Sequence, residues 1–316
     1  MKKHKALYSV LLVSLLTVVS LFAFKPVTPP MNPPVVAATT IIPTPTFRGM
    51  YVNDFNTILG TSAKEDSVLN YITAHNLNAL YFYDLSSILG TPSNFAKLDT
   101  LIAKAKRRGV MWFGGTRASY NRAVVATNSN VAYNTTARNK LNTFNLENEF
   151  WNYEVNNLAG NLPYLQWKIE NSKIYTYCVS KSIIADMYMG HFKDPYNNTP
   201  ATVIANQIAK QNHRVLISDY VTTTKFINKT EGNFSAIKER LQILGTEAQK
   251  RTGGYVDVII IFHGGNDYMH SYFTNHTFVD AYNSVVATFN KSSFTGKKAI
   301  RIKGYMIYGY QQVKTL

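Results

Sequence analysis

The sequence is poor in cysteine and in acidic residues, and it lacks several familiar catalytic motifs. Its 316 residues include a single cysteine, Cys178, so no intramolecular disulfide can form. That residue lies in IYTYCVSKSI, which has the pattern of a buried helix face and predicts a small core side chain. We find no Gly-x-Ser-x-Gly elbow, phosphate-binding loop or dinucleotide fingerprint in the chain. These absences argue against serine-hydrolase and nucleotide-binding functions.

Acidic residues number 18 against 33 lysines and arginines, which gives a formal net charge of +15. Such an excess is compatible with a solvated basic surface. It is also compatible with attraction to acidic polysaccharide, to a cell-wall polymer or to an anionic membrane surface. The densest basic run, KAKRRG at 104–109, is typical of the polar end of a helix. We therefore expect no nucleic-acid partner.

The first 45 residues have the composition of an export segment and a tether. A cationic head, MKKHK, precedes the apolar run ALYSVLLVSLLTVVSLFAF, which predicts a signal peptide over 1–24 or an uncleaved membrane anchor. Residues 25–45 are rich in proline and predict a stiff, extended tether. We expect one folded domain over 46–316, and a secreted, periplasmic or cell-surface location.

From Phe47 onward, short apolar and aromatic runs alternate with longer amphipathic segments. The predicted strands are FRGMYVN, NALYFYDL, GVMWFGG, NTFNLENEFW, ADMYMGHF, RVLISDYV, VDVIIIFHG and IKGYMIYGY. Eight strand–helix units predict a single (β/α)8 TIM barrel, with a doubly wound open sheet as the competing fold. The segment IYTYC is compatible with a ninth strand, but we expect a helix there because it supplies a crossover between strands.

Polar residues end every predicted strand. In a barrel these positions lie together at the carboxyl-terminal mouth, where functional side chains gather. The candidate substrate-binding residues chosen on this ground are Asn53, Asp84, Asn145, His191, Asp219, Tyr220, His263, Tyr308 and Tyr310. Tyrosines beside carboxylates suit sugars, because aromatic rings stack on the CH faces of sugars while acids and amides bond to their hydroxyl groups.

Two carboxylates stand out in NTFNLENEFW. If this segment is a strand, Asn145, Glu147 and Glu149 share one face. Two carboxylates so close together cannot both ionise comfortably, and one is pushed toward its neutral form near pH 7. A neutral carboxyl beside an ionised one is what a general acid with a stabilising partner requires. Glu149 and Glu147 are therefore the candidate catalytic residues.

The spacing Asn145-x-Glu147-x-Glu149, followed by Phe150-Trp151, resembles the end of the fourth barrel strand in family 18 glycoside hydrolases. This family comprises chitinases and endo-β-N-acetylglucosaminidases, and its motif ends in Asp-x-Asp-x-Glu. The resemblance implies that Glu149 is the general acid and that Glu147 stays ionised and orients the substrate. It also implies that Tyr220 steadies the acetamido group and that Tyr308 belongs to an aromatic floor. The chain departs from the motif at Asn145 and Glu147, and it lacks the preceding glycine.

The sequence therefore predicts a secreted glycosidase acting on N-acetylglucosamine-containing or related polysaccharide. An alternative is a catalytically inactive carbohydrate-binding protein at the cell surface, on the same barrel. A third hypothesis is a metal hydrolase, with His191, His263 and His270 as ligands. We expect a glycan partner and neither a cofactor nor a metal, while the oligomeric state and the stereochemical outcome stay open.

Overall fold

Eight parallel strands follow one another around a closed barrel in the order of the sequence. The computed structural model describes residues 45–117, 123–147, 149–151, 162–190, 199–228 and 234–316. The ring closes because β8 pairs with β1, with Tyr308 opposite Tyr51. The predicted single (β/α)8 barrel is thus confirmed, and the open sheet is excluded. The predicted export segment, the predicted tether up to residue 44 and His191 lie outside the described residues, and those predictions stay untested.

The strands β1 to β8 coincide closely with the predicted segments. They span Phe47–Val52, Ala79–Phe82, Trp112–Arg117, Thr143–Leu146, Ile184–Met189, Arg214–Asp219, Val256–His263 and Ile300–Tyr308. Register is regular around the barrel except for a shift between Val258 and Ile259, where β7 pairs with β8.

Helices fill the connections between strands. Those in the described residues, numbered α1 to α11, span Ser62–Ala74, Leu85–Ile88, Asn94–Arg107, Ala123–Thr136, Leu162–Ser180, Ala201–Lys210, Thr223–Ile227, Ser235–Gln249, His270–Phe273, Phe278–Lys291 and Tyr310–Val313. The ambiguous IYTYC segment is helical, as predicted, and Cys178 is fully buried in α5. No helix of the described chain is both long and apolar enough to cross a membrane.

The strands bury both faces, as parallel barrel strands must. Met50 and Val52 pack outward against the helices, whereas Phe47 and Tyr51 point into the barrel interior. The interior holds several aromatic rings, those of Phe47, Tyr51, Tyr81 and Tyr188, and one glycine makes room for a ring. A Cβ on Gly114 of β3 would lie 2.6 Å from the Tyr81 ring, so the ring crosses the barrel over bare backbone.

One predicted strand is shorter than expected. The prediction extended β4 through Glu149 to Trp151, but the strand ends at Leu146, where its pairing with β3 also ends at Arg117. Glu147 and Glu149 therefore follow the strand, and Phe150 and Trp151 lie in a 3-10 turn. Leu146 pairs with Arg117 of β3 on one side and with Met187 of β5 on the other, and the described ladders of β4 end there. The two carboxylates consequently stand at the barrel rim and not within the sheet.

Candidate active site at the carboxyl-terminal mouth

Five tyrosines converge where the strands end. We call Tyr51, Tyr83, Tyr188, Tyr220 and Tyr308 the tyrosine cluster. The ring of Tyr308 lies at its centre, with ring centroids 5.7 Å from Tyr51, 6.3 Å from Tyr83 and 6.0 Å from Tyr220. Trp151 extends the aromatic wall, with its ring centroid 6.4 Å from that of Tyr188.

Glu147 lies within reach of every member of this cluster. Burial raises the pKa of each of the five phenols, and the charge of Glu147 raises each pKa further. A carboxylate acts on a phenol in this way only when it lies near it. The end of β4 thus places Glu147 among the side chains of an aromatic-walled site.

The carboxyl group of Glu147 is poorly compensated. Its Oε2 is buried and has no hydrogen-bond partner among the described residues. Burial, followed by the charge of Glu149, raises the pKa of Glu147 to about 8. A carboxyl group with this pKa is mostly protonated at pH 7 and can donate a proton.

Glu149 lies at the same rim and is partly accessible. Its charge contributes to the raised pKa values of Tyr83, Tyr188 and Tyr308, although burial is the larger cause in each. The two carboxylates therefore lie at the same rim of the barrel, and their predicted catalytic roles stay untested. The raised pKa, however, belongs to Glu147, whereas the family resemblance implied that Glu147 stays ionised.

Asn145 supports the site from below. Its Nδ2 donates a hydrogen bond to the hydroxyl oxygen of Tyr51 at 2.8 Å, and the side chain is buried. This contact fixes the inward face of β4 against β1, directly beneath Glu147. The described geometry gives Asn145 a positioning contact, and its predicted substrate contact stays untested.

His263, at the end of β7, faces the same pocket. Its ring centroid lies 5.0 Å from those of Tyr220 and Tyr308 and 4.1 Å from that of Tyr268. Burial lowers the pKa of His263 to about 4, although Asp267 opposes the shift, so the ring is neutral near pH 7. Its Nδ1 accepts a hydrogen bond from the backbone N–H of Gly265 at 3.0 Å. The ring proton therefore sits on Nε2, which can donate to a ligand oxygen.

Four of the predicted site residues are not brought into this cluster. Asp219 is fully buried outside the barrel, beside Arg240 of α8, and burial raises its pKa to about 7 while Arg240 and Lys225 oppose the rise. The ring of Tyr310 packs on Tyr71, with centroids 5.8 Å apart.

The other two lie at the rim. Asn53 accepts a hydrogen bond at Oδ1 from the backbone N–H of Gln311 at 3.1 Å and so ties the end of β1 to α11. Asp84 precedes the short helix α2 with a left-handed backbone (φ 50°) and lines a cleft of about 370 Å³ with Asp54 and Tyr83.

Several pocket residues escaped the sequence prediction: Tyr51, Tyr83, Tyr188, Trp151 and Tyr268. Strand alternation contained the signal for Tyr51, Tyr83 and Tyr188. Tyr51 shares the inward face of β1 with Phe47, Tyr83 follows β2 two residues after the inward-facing Tyr81, and Tyr188 faces inward from β5. The prediction chose the last polar residue of each strand run. In the second run that residue was Asp84, whereas the residue that faces inward is its neighbour Tyr83. Within the described ranges, no three His, Cys, Asp or Glu side chains are grouped so that they could hold a metal ion.

Comparison with known proteins supports the fold and no more. No protein-family profile matches the sequence, and no curated protein matches it either. GH5_18 from Streptomyces cattleya, solved in complex with Manβ1-4GlcNAc, is similar in structure with a TM-score of 0.55 and 10% identity, over 84% of this chain and 71% of that one. The β-glucosidase 2 of the fungus Trichoderma reesei, solved in complex with Tris, has a TM-score of 0.51 and 9% identity, over 78% of both chains. The chain therefore has the barrel fold found in these glycoside hydrolases.

Proposed function

We propose that this protein is a glycoside hydrolase in which Glu147 is the proton donor and Glu149 is the carboxylate that stabilises the developing positive charge. One observation carries the proposal: a carboxyl group with a buried, unpartnered oxygen stands in a cluster of five tyrosines at the mouth of the barrel, beside a second carboxylate. A buried carboxyl without a partner is costly for stability, so it is most readily explained by use. The mouth of a barrel is also where its active site is expected.

Glu147 is the proton donor in this proposal. It transfers its proton to the glycosidic oxygen while the bond from that oxygen to the anomeric carbon breaks, and the electron pair leaves with the departing sugar. The carboxylate of Glu149 stabilises the positive charge that develops on the remaining sugar. A water molecule then adds to the anomeric carbon and returns a proton to Glu147, which restores the site. The raised pKa of Glu147 favours this residue as the donor, whereas the family resemblance implies Glu149.

The neighbouring side chains suit a sugar ring. Tyr220 and Tyr308 are partly accessible and offer ring faces for stacking, and His263 offers a donor at Nε2. The substrate class, N-acetylglucosamine-containing or related polysaccharide, rests on the resemblance around Asn145, Glu147 and Glu149. Export of the protein to a secreted, periplasmic or cell-surface location rests on the composition of residues 1–24.

The role of Glu147 as the proton donor can be tested by comparing the kinetics of two substrates whose leaving groups differ in acidity. Glu147→Gln should lower turnover of a chitooligosaccharide by about 10²–10⁴-fold, since a positioned proton donor contributes that much. The same variant should retain much of its activity on an aryl N-acetylglucosaminide with an acidic dinitrophenol leaving group, which departs without a proton. Glu149→Gln should lose activity on both substrates, because its carboxylate is needed whatever the leaving group. Glu239→Gln, at an exposed position of α8, is the matched control and should be unchanged.

The pH profile gives a second readout. Because Glu147 must be protonated to act, kcat/KM of the wild type should fall as the pH rises through about 8. If Glu149→Gln shows the leaving-group rescue and Glu147→Gln does not, the two roles are exchanged. If the wild type cleaves neither substrate but binds the oligosaccharide, the protein is a carbohydrate-binding barrel without catalysis.

A further inference from the structure

A second cavity opens at the opposite end of the barrel, where the strands begin. Its volume is about 850 Å³, within the range of small-molecule sites. Its wall includes Trp112 at the start of β3, Arg214 at the start of β6 and Lys303 of β8, with Lys210 and Arg251 from the ends of neighbouring helices. The glycosidase proposal uses none of these residues.

Arg214 forms the floor of this cavity and is held rigidly. Its Nε and Nη2 each donate to Asp186 at 2.8 Å, and Nη2 also donates to the hydroxyl oxygen of Tyr81 at 3.0 Å. The guanidinium lies 4.7 Å from the ring centroid of Phe47 and 5.1 Å from that of Trp112. Among the described contacts Nη1 donates to nothing, so two N–H groups remain available on a fixed cation.

Three further cations line the cavity without an acidic partner in the described chain: Lys210, Arg251 and Lys303. Arg301, which lies nearby, does have an acidic partner. Its Nε pairs with Asp257, and its guanidinium stacks on the ring of Tyr255. Asp257 is the only acidic residue in the described lining, and that ion pair already engages it. The cavity therefore has a surplus of positive charge.

Arg251 supplies the second observation. Its Nε is buried and has no acceptor among the described residues, although its side chain lines the cavity. This N–H group has no acceptor in the described chain, so the guanidinium of Arg251 adds uncompensated positive charge to the cavity that its side chain lines. Arginine forks match carboxylate and phosphate oxygens better than any other side chain does.

We propose that this amino-terminal cavity binds an anionic ligand through its carboxylate or phosphate groups. Arg214, through Nη1, and the guanidinium of Arg251 bind the anionic oxygens, and Lys210 and Lys303 add charge at the rim. The site is independent of catalysis, because it lies at the end of the barrel opposite Glu147.

Calorimetry on the purified full chain tests the proposal at about 0.15 M salt, where diffuse attraction to a basic surface is screened. The carboxylate probe is trigalacturonate, the phosphate probe is inorganic pyrophosphate, and neutral maltotriose is the blank. We expect saturable binding of at least one anionic probe, weakened about tenfold or more by Arg251→Gln, because a hydrogen bond to a charged group is lost. Binding of only one probe identifies which anionic group the site recognises. Glu147→Gln should bind as the wild type does.

A matched control separates the cavity from the basic surface. Lys210 and Lys291 are both exposed lysines at the last position of a helix, but only Lys210 lines the cavity. Lys210→Gln should weaken binding and Lys291→Gln should not. If Arg251→Gln fails to fold, Lys303→Gln takes its place. The proposal is overturned if neither anionic probe binds saturably, if cavity variants bind like the wild type, or if Lys291→Gln weakens binding equally.

Discussion

The two ends of the barrel interior treat a buried carboxyl group in opposite ways. Near the amino-terminal end, Asp186 receives two hydrogen bonds from Arg214 and one from Tyr81. At the carboxyl-terminal mouth, Glu147 has a buried oxygen that no described residue satisfies. Both carboxyls project inward from barrel strands or their ends, so the difference lies in what the neighbouring strands place opposite them.

The consequences for protonation are also opposite. Burial alone would lower the pKa of Arg214, but Asp186 and Tyr81 outweigh it and raise that pKa overall, so Arg214 stays charged. Glu147 faces phenols and another carboxylate, and burial raises its pKa to about 8. A satisfied ion pair serves the fold, whereas an unsatisfied carboxyl group near its pKa can exchange a proton. This division agrees with the general rule that barrels place stability at the bottom and chemistry at the top.

Removing Arg214 should break the amino-terminal arrangement and cause the largest loss. Arg214→Leu leaves Asp186 buried without its cation, and such losses cost about 3–5 kcal/mol in free energy of unfolding. Urea denaturation monitored by circular dichroism measures the change. The double variant Arg214→Leu with Asp186→Asn should recover much of that loss because no charge remains buried. Equal losses in the single and double variants would show that packing of the arginine side chain matters, and not its charge.

Substituting Glu147 should raise the free energy of unfolding at alkaline pH, whereas substituting Arg214 should lower it. Its pKa is higher in the folded protein than in the unfolded chain, so the folded state binds the extra proton. This contribution is fully present below about pH 4.5 and is lost as the pH rises through about 8. Glu147→Gln cannot ionise, so at pH 9 we expect it to be more stable than the wild type by on the order of 1–3 kcal/mol.

Thermal melts at pH 5 and pH 9 check this expectation. The two proteins should differ little at pH 5, and Glu239→Gln should follow the wild type at both values. Some loss of stability between pH 4 and pH 7 should persist in the variant, because the raised pKa of Asp219 is untouched. A variant that is less stable than the wild type at pH 9 would mean that Glu147 is compensated in solution.

The sequence was sufficient for the barrel but only partly for the site. Strand alternation with amphipathic helices predicted all eight strands, since burial on both faces leaves long apolar runs. Alternation within a run also decides which side chain faces inward. The prediction did not use this rule when it placed Asp219 among the substrate-binding residues. Its neighbour Tyr220 faces the pocket, so Asp219 must face the helices, where Arg240 lies.

Other features depend on register between distant strands. The contact of Tyr81 with Asp186 and Arg214 joins three strands, and no local pattern specifies it. The end of β4 at Leu146 likewise depends on its pairing with β3 and β5, which the residues of β4 alone do not encode. Positions of this kind require the closed barrel and cannot be predicted from one segment at a time.

Two tyrosine-to-phenylalanine substitutions give the smallest and most discriminating comparison. At the mouth, Tyr51→Phe removes the hydroxyl that accepts a hydrogen bond from Asn145 Nδ2 at 2.8 Å, which should cost about 1 kcal/mol. At the other end, Tyr81→Phe removes a donor to the carboxylate of Asp186, and such charge-assisted bonds are roughly twice as strong. Urea denaturation of both variants at pH 7 should therefore rank Tyr81→Phe as the more destabilised. Each change deletes one oxygen from a fully buried ring, so differences in packing largely cancel. The reverse ranking would mean that the stronger polar network lies at the mouth and not at the ion pair. It would contradict the view that the amino-terminal end stabilises the fold while the mouth carries the chemistry.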